Sequence, residues 1–227
     1  MMRSLNGKVV MITGGSGGLG QTVTAMFSRA GAKVVVVSQV IPENLPEGLV
    51  GISADVTDEA DVQRLMSSVV QKTPRIDCLV NLVGGFAMSP LVETELSTWS
   101  NMLSVNLTSA FLLSRAMTRI MTAQGSGRII HMAARAAVDP FPGAGAYIVS
   151  KAALLALIKV LALELAGSGV TVNGVLPATI DTPANRHSMP DADPSQWVKP
   201  EAIAALLVFI ASDEAEAVNG ALIPIGS

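Results

Sequence analysis

Cysteine is nearly absent from this chain. One residue, Cys78, excludes an intrachain disulfide, and its apolar neighbours assign it to the core. Histidine is almost as scarce: there are two, and His131, inside an apolar strand pattern with no ligand cluster beside it, reads as a hydrogen-bonded structural residue rather than a metal ligand. Aromatic residues make up 4% of the chain, so the core has to be built from Ala, Val, Leu and Ile, which suits buried parallel strands under small-residue helices. Charge is also sparse, at 15% of residues with a net −3, which leaves no basic footprint for nucleic acid or an anionic membrane and points to small-molecule substrates. The longest strongly apolar run, Ala152 to Leu163, is interrupted by Lys159 and too short to span a bilayer. The first residues, Met1 to Lys8, lack the apolar core of a secretion signal, so a cytoplasmic location is expected. Neither a linker nor a composition shift divides the 227 residues, and a single domain over 1–227 is expected.

What is present is alternation. An apolar run from Lys8 to Thr13 leads through glycines 14–20 into a helical pattern that Gly31 closes, and the β-branched run Val34 to Val37 follows. This is a βαβ unit with a parallel sheet and a right-handed crossover. The second crossover, Gln39 to Leu49, contains Pro42, Pro46 and Gly48 and predicts an extended connection instead of a helix, before a strand near Val50 to Ser53. Helical patterns at Asp58 to Lys72, Ser97 to Ala123, Ala146 to Ala166 and Glu201 to Ser212 alternate with strands at Asp77 to Leu82, Arg128 to Met132, Val170 to Val175 and Ala221 to Ile225. Between Pro177 and Pro200 the periodicity fails, which predicts a surface loop or lid. The expected fold is a three-layer, doubly wound parallel α/β sheet of the Rossmann type with about seven strands and a ligand crevice at their carboxyl ends.

The stretch Thr13-Gly14-Gly15-Ser16-Gly17-Gly18-Leu19-Gly20 stands between the first strand and the first helix, where backbone N–H groups and the positive end of a helix dipole meet a pyrophosphate. Gly14, Ser16, Gly18, Leu19 and Gly20 are therefore candidate dinucleotide-binding residues. At the end of the second strand, NAD sites usually carry an acid and NADP sites offer cations; this chain has Ser38-Gln39 and neither signature. Without a carboxylate there is nothing to repel a 2′-phosphate, so NADP(H) is expected over NAD(H), with Ser38 as a hydrogen-bond donor. Asp55 and Val56, after the third strand, are candidates for adenine contact, or Asp55 is simply an acid leading the next helix. Tyr147 and Lys151 are spaced to share one face of a helix, and an adjacent ammonium favours the phenolate, so a lowered tyrosine pKa is expected.

Together the glycine loop, Asn81 to Gly84, Asn106 and the Tyr147/Lys151 pair resemble the short-chain dehydrogenase/reductase family over nearly the whole chain. The resemblance implies an NAD(P)-dependent oxidoreductase. Tyr147 would exchange the substrate proton, Lys151 would bind the nicotinamide ribose and Asn106 would hold a water in a proton relay. Asn81, Gly84, Pro177, Ile180 and Thr182 would line the cofactor cleft. The family usually places a catalytic serine about thirteen residues before the tyrosine, to stabilise oxyanion charge, and this chain has Ala133-Ala134 there.

Quinonoid dihydropteridine reductases also lack that serine and have a shortened second crossover. Their lid is similar to Leu176–Arg186 and Ser188–Asp193 with Trp197, and Gly84-Gly85-Phe86 and Asp139–Gly143 resemble them too. The implied substrate is a conjugated C=N or C=O compound. Alternatives are a carbonyl or 3-oxoacyl reductase weakened by Ala134 and a catalytically decayed dinucleotide-binding sensor. Arg135 either holds an anionic or carbonyl group in the cleft or is a solvated loop residue, and Arg186 and His187 in the lid are either cations near a phosphate or solvated loop charges. Phe86, Phe141 and Trp197 are candidates for an aromatic wall. Surplus apolar surface on the two long helices predicts a homodimer or homotetramer.

Overall fold

The computed structural model describes residues 4–73 and 75–226. Seven strands form one parallel sheet: β1 (Val9–Thr13), β2 (Lys33–Ser38), β3 (Val50–Ser53), β4 (Cys78–Asn81), β5 (Gly127–Met132), β6 (Val170–Pro177) and β7 (Leu222–Ile225), in the spatial order β3-β2-β1-β4-β5-β6-β7. The chain order reverses between β1 and β4, so the loops leaving these neighbours diverge and open a crevice at their carboxyl ends. The helices are α1 (Gly18–Arg29), α2 (Glu59–Lys72), α3 (Leu96–Leu103), α4 (Ser109–Gln124), α5 (Gly145–Glu164), α6 (Pro183–Ser188) and α7 (Pro200–Ala211).

Two apolar cores, one on each face of the sheet, follow from the strand side chains. Met11, Val35, Leu79, Ile129 and Val172 point to the face covered by α2, α4 and α5, while Val10, Ile12, Val34, Val36, Val80 and Ile130 point to α1 and α7. Cys78 is buried in the second, as its neighbours in sequence require, and burial pushes its thiol pKa up. The Rossmann-type three-layer architecture read from the alternation is the one observed.

Three local expectations need correction. Ser97 to Ala123 is not one regular helix, because α3 and α4 are joined by a π turn over Ser104–Thr108. There the Ser109 N–H reaches back to the Ser104 carbonyl, while the Ser109 hydroxyl donates to the Val105 carbonyl at 2.7 Å, and the widened turn carries Asn106. The Pro177–Pro200 stretch is not structureless: Thr182 caps α6 by accepting the Asn185 N–H, and Pro183 occupies the first turn, which Thr-Pro in sequence signals. Helix α5, at 20 residues with a mean hydropathy of 2.0, is long and apolar enough to cross a membrane, unlike the shorter run read from sequence. It packs on β6, buries Leu154, Leu155 and Ile158, and carries Tyr147 and Lys151, so one face of it belongs to the core while Val149, Val160 and Leu163 stay exposed on the other.

The extended second crossover is as expected. Ile41, Leu45 and Leu49 anchor it to the α1 face, and an open groove of about 460 Å³ remains between it and α1.

Candidate active site

The crevice begins at the glycine loop. Gly14 has a φ of 71°, a left-handed conformation natural only to glycine, and turns the chain from β1 toward α1. The N-cap of α1 is Gly17, with no side-chain hydrogen bond and no acid in the first turn, so the leading N–H groups and the helix dipole face outward uncompensated. That is the arrangement a pyrophosphate requires, and the residues present fit a dinucleotide. Gly20 is fixed for a different reason: a Cβ there would lie 2.1 Å from the Gly14 carbonyl oxygen. Leu19 packs inward against the α1-side core.

Beyond the loop lies a cleft of about 510 Å³ lined by Gly14, Ser16, Ser38, Gln39, Asp55, Val56 and Gly84 among others. The Ser38 hydroxyl oxygen accepts the Ser16 N–H at 3.2 Å, which ties the end of β2 to the loop and leaves the hydroxyl proton free to donate. Asp55 does more than lead α2. Its carboxylate accepts both the N–H and the hydroxyl of Thr57, which hold its pKa below the usual carboxylate value, and Asp61 accepts the Asp55 N–H at 2.6 Å.

Gly84 links this cleft to the reactive end. A Cβ on Gly84 would stand 2.9 Å from both Asn106 Oδ1 and Lys151 Nζ, so the two side chains converge behind a backbone that has room only for hydrogen. The Asn106 side chain is fully committed. Its Oδ1 accepts the Gly85 N–H at 2.9 Å, and its Nδ2 donates to the Gly85 carbonyl at 3.1 Å and the Ser150 hydroxyl at 3.0 Å. The side-chain amide thus clamps the Gly84-Gly85 backbone to α5. Ser150 and Gly85 are partners that the motif reading missed, although Ser150 stands inside the Tyr147–Lys151 stretch.

Lys151 is buried and donates to the Met132 carbonyl at 2.8 Å, at the end of β5. Burial draws its pKa down to about 8, so the ammonium is lost as pH rises through that value. Tyr147 corrects the sequence expectation. Desolvation raises its phenol to about 12 instead of the neighbouring lysine lowering it, because a low-dielectric pocket disfavours the phenolate. Tyr147 is the only tyrosine in the chain, so ultraviolet titration of the cofactor-free protein reports this group alone. No ionisation below pH 10 is expected, and a midpoint under 9 would contradict the burial argument.

The Phe86 ring meets the Tyr147 ring edge-on, with centroids 4.9 Å apart. Of the expected aromatic wall, Phe86 is the member seen against Tyr147; Phe141 is exposed on the preceding loop and Trp197 half-buried at the end of the lid. Ala134 is buried at the carboxyl end of β5, and its methyl offers no hydrogen bond where the family serine would. Arg135 does not reach for a ligand: it pairs with Asp139 at 2.7 Å and donates to the Gly226 carbonyl at 3.0 Å. Pro177 ends β6 beside Ile225, and Ile180 bridges to Val198. Thr182 closes over the glycine loop, 3.7 Å from where a Gly18 Cβ would stand. The lid is pinned by Asp181, which binds Arg186 through both oxygens at 2.6 and 3.0 Å and Lys199 at 3.0 Å. These bonds hold the Asp181 carboxyl at about 2. Arg186 is therefore engaged within the lid, and His187 is exposed.

Beneath the cleft runs a buried polar chain. The Thr13 hydroxyl donates to Asn81 Oδ1 at 2.6 Å, which turns Asn81 Nδ2 toward His131 Nδ1 at 3.2 Å; Nε2–H then faces the Ser114 hydroxyl at 2.9 Å. Burial drives the His131 pKa down to about 3, so the ring is neutral. This is the structural histidine the sequence indicated, and its partners tie β1, β4, β5 and α4 together just below the cleft. His131→Leu strands two buried groups at about 1–3 kcal/mol each, so a melting temperature lower by several degrees is expected. His131→Gln, which can both accept and donate, should recover most of it.

A family model described as short chain dehydrogenase matches residues 8–193. The chain belongs to the short-chain dehydrogenase family, and with it to the NAD(P)-dependent oxidoreductases. It is 33% identical to a 3-oxoacyl-[acyl-carrier-protein] reductase FabG of Thermotoga maritima, over 97% of each chain. It is also 32% identical to a D-threitol dehydrogenase of Mycolicibacterium smegmatis, over 96% of this chain and 90% of that one. Among solved structures, a 3-ketoacyl-(acyl-carrier-protein) reductase from Brucella melitensis complexed with NADH superposes with a TM-score of 0.88 at 26% identity, covering 98% of both chains. Named relatives of the pterin reductase kind are not among these.

Proposed function

We propose that the protein is an NAD(P)H-dependent reductase of flat, conjugated C=N or C=O acceptors of the quinonoid dihydropterin type, working with Tyr147 and without a serine. The observation that carries this reading is Ala134. Loss of one oxyanion donor costs about 2.7–4 kcal/mol in enzymes that depend on it. An acceptor whose developing charge spreads over a conjugated ring needs that donor least.

The cofactor supplies hydride when bound. Gly14, Ser16, Gly18 and Gly20 hold its pyrophosphate, Ser38 and Asp55 with Val56 its adenosine, and Asn81, Gly84, Pro177, Ile180 and Thr182 line its nicotinamide half. Lys151 holds the nicotinamide ribose and Tyr147 gives its phenolic proton to the acceptor. Asn106 keeps the Gly84-Gly85 backbone in register with α5. With no carboxylate at Ser38-Gln39, NADP(H) is preferred to NAD(H), which a binding comparison of the two cofactors tests. Exposed Phe111 on α4 and Val149, Val160 and Leu163 on α5 supply an apolar face for a homodimer or homotetramer, and the protein works as one domain in the cytoplasm.

A second reading is favoured by the one-third identity to oxoacyl reductases and polyol dehydrogenases along the whole chain: ordinary carbonyl chemistry, slowed by Ala134. Ala134→Ser separates the two. The conjugated-acceptor reading expects at most a few-fold change in turnover of quinonoid dihydropterin; a gain of about 10²-fold or more with a 3-oxoacyl thioester supports the carbonyl reading. Tight cofactor binding without hydride transfer to any acceptor would leave only a sensor.

A further inference from the structure

The segment that leaves β4 carries an unusual amount of exposed apolar surface. Phe86 is 58% exposed, Met88 63%, Leu91 62%, Val92 96% and Leu96 76%. It does not stray from the site. Ser89 donates its N–H to the Gly143 carbonyl at 2.7 Å and bridges to Ala144, which lays the segment along the start of α5. A Cβ on Gly143 would be 3.3 Å from Met88 Cε, and one on Gly145 would be 2.9 Å from Leu91 Cδ1. Phe86, Met88 and Leu91 thus form an apolar apron that is continuous, through the Phe86–Tyr147 contact, with the proton donor.

Charge around the apron is one-sided. Glu93 and Glu95 stand exposed on the same segment, and neither makes an ion pair among the described residues. On the loop before α5, against which the segment lies, Arg135 is taken by Asp139, and the lid cations Arg186 and Lys199 are taken by Asp181. An anionic tail would meet two free carboxylates and no free guanidinium. A hydrocarbon tail would meet thioether, aromatic and aliphatic surface whose removal from water is favourable in proportion to area.

We infer that the substrate of this site carries an uncharged apolar substituent, which lies over Phe86, Met88 and Leu91 while its conjugated ring faces Tyr147. This rests on the reductase reading above and narrows its substrate class. In the reaction the acceptor C=N gains hydride at one atom and a proton at the other, and the nicotinamide cofactor is oxidised in step. The tail takes no part in bond making and contributes binding alone.

The test uses quinonoid dihydropterins that differ only at position 6: methyl, propyl, pentyl and a carboxypropyl chain. KM is expected to fall on the order of threefold per added methylene, and the carboxylate is expected to bind less well than propyl. Met88→Gln with Leu91→Asn should flatten the chain-length dependence, and Glu93→Gln with Glu95→Gln should improve the carboxylate about twofold to fourfold. Chain-length independence, or a carboxylate that binds as well as pentyl, overturns the inference. So does a Met88/Leu91 variant whose only change is in assembly mass, since a second copy would then own the apron. Binding of fully oxidised 6-alkylpterins to the cofactor-loaded protein separates this from the reductase reading. Chain-length-dependent binding without any turnover leaves the apron standing and removes the reaction; turnover without chain-length dependence does the reverse; no binding and no turnover removes both.

Discussion

Tyr147→Phe is expected to lower kcat by about 10²–10⁴-fold, the usual contribution of a positioned general acid. The substitution removes one hydroxyl and keeps the ring that meets Phe86 edge-on, so the cleft should hold its shape. NAD(P)H affinity should change less than about twofold, because the glycine loop and the Ser38–Ser16 contact lie at the other end of the crevice. The size of the loss also reports on the acceptor. With burial holding the phenol near 12 in the free protein, the proton leaves only when charge develops on a bound acceptor beside it. Steady-state kinetics together with a cofactor titration measures both quantities, and near-normal kcat would remove Tyr147 from the mechanism.

Gly20→Ala should have the largest effect on cofactor binding among single methyl additions. The new Cβ would sit 2.1 Å from the Gly14 carbonyl oxygen and 2.7 Å from both the carbonyl carbon and the Cα of Gly15. These are backbone atoms and cannot rotate aside, so α1 must move off β1 or the loop must open. Overpacking of this kind costs about 1–3 kcal/mol or more. The displaced atoms belong to the loop that, in the proposed site, would present N–H groups to the pyrophosphate, so a loss of at least about tenfold in NAD(P)H affinity is expected. Calorimetric unfolding and a fluorescence titration check both effects; unchanged affinity would show that the loop does not hold the cofactor.

Much of the fold was legible because parallel strands buried on both faces leave an unmistakable trace. Runs such as Val34–Val37 and Cys78–Val80 are uniformly apolar, and prolines in Gln39–Leu49 forbid a helix there. The π turn at Ser104–Thr108 was not legible, since it depends on where the Ser109 hydroxyl finds its acceptor and not on periodicity. Helix α6 was within reach, because Thr182-Pro183 is a start signal that the surrounding prolines obscured. At the site, the positions of the glycine loop and of the Tyr147/Lys151 pair on β1–α1 and α5 were readable, but their electrostatics were not. Spacing suggested that Lys151 would acidify Tyr147, whereas the depth at which α5 packs on the sheet makes desolvation the larger effect on both groups. The fates of Arg135 and Arg186 likewise follow from nearby carboxylates, Asp139 and Asp181, whose geometry only the folded chain defines.

The central claim is that this site transfers hydride and a proton without a serine because its acceptor is a conjugated ring. Single-turnover stopped-flow oxidation of protein-bound NADPH by quinonoid dihydropterin, with wild type and Ala134→Ser side by side, tests it most directly. Rapid oxidation by both proteins, with rates within a few-fold of each other, is the result expected from a site that has Ala134, which offers no hydrogen bond, at the carboxyl end of β5. No oxidation by the pterin, together with a large serine-dependent rate on a 3-oxoacyl thioester, would contradict it.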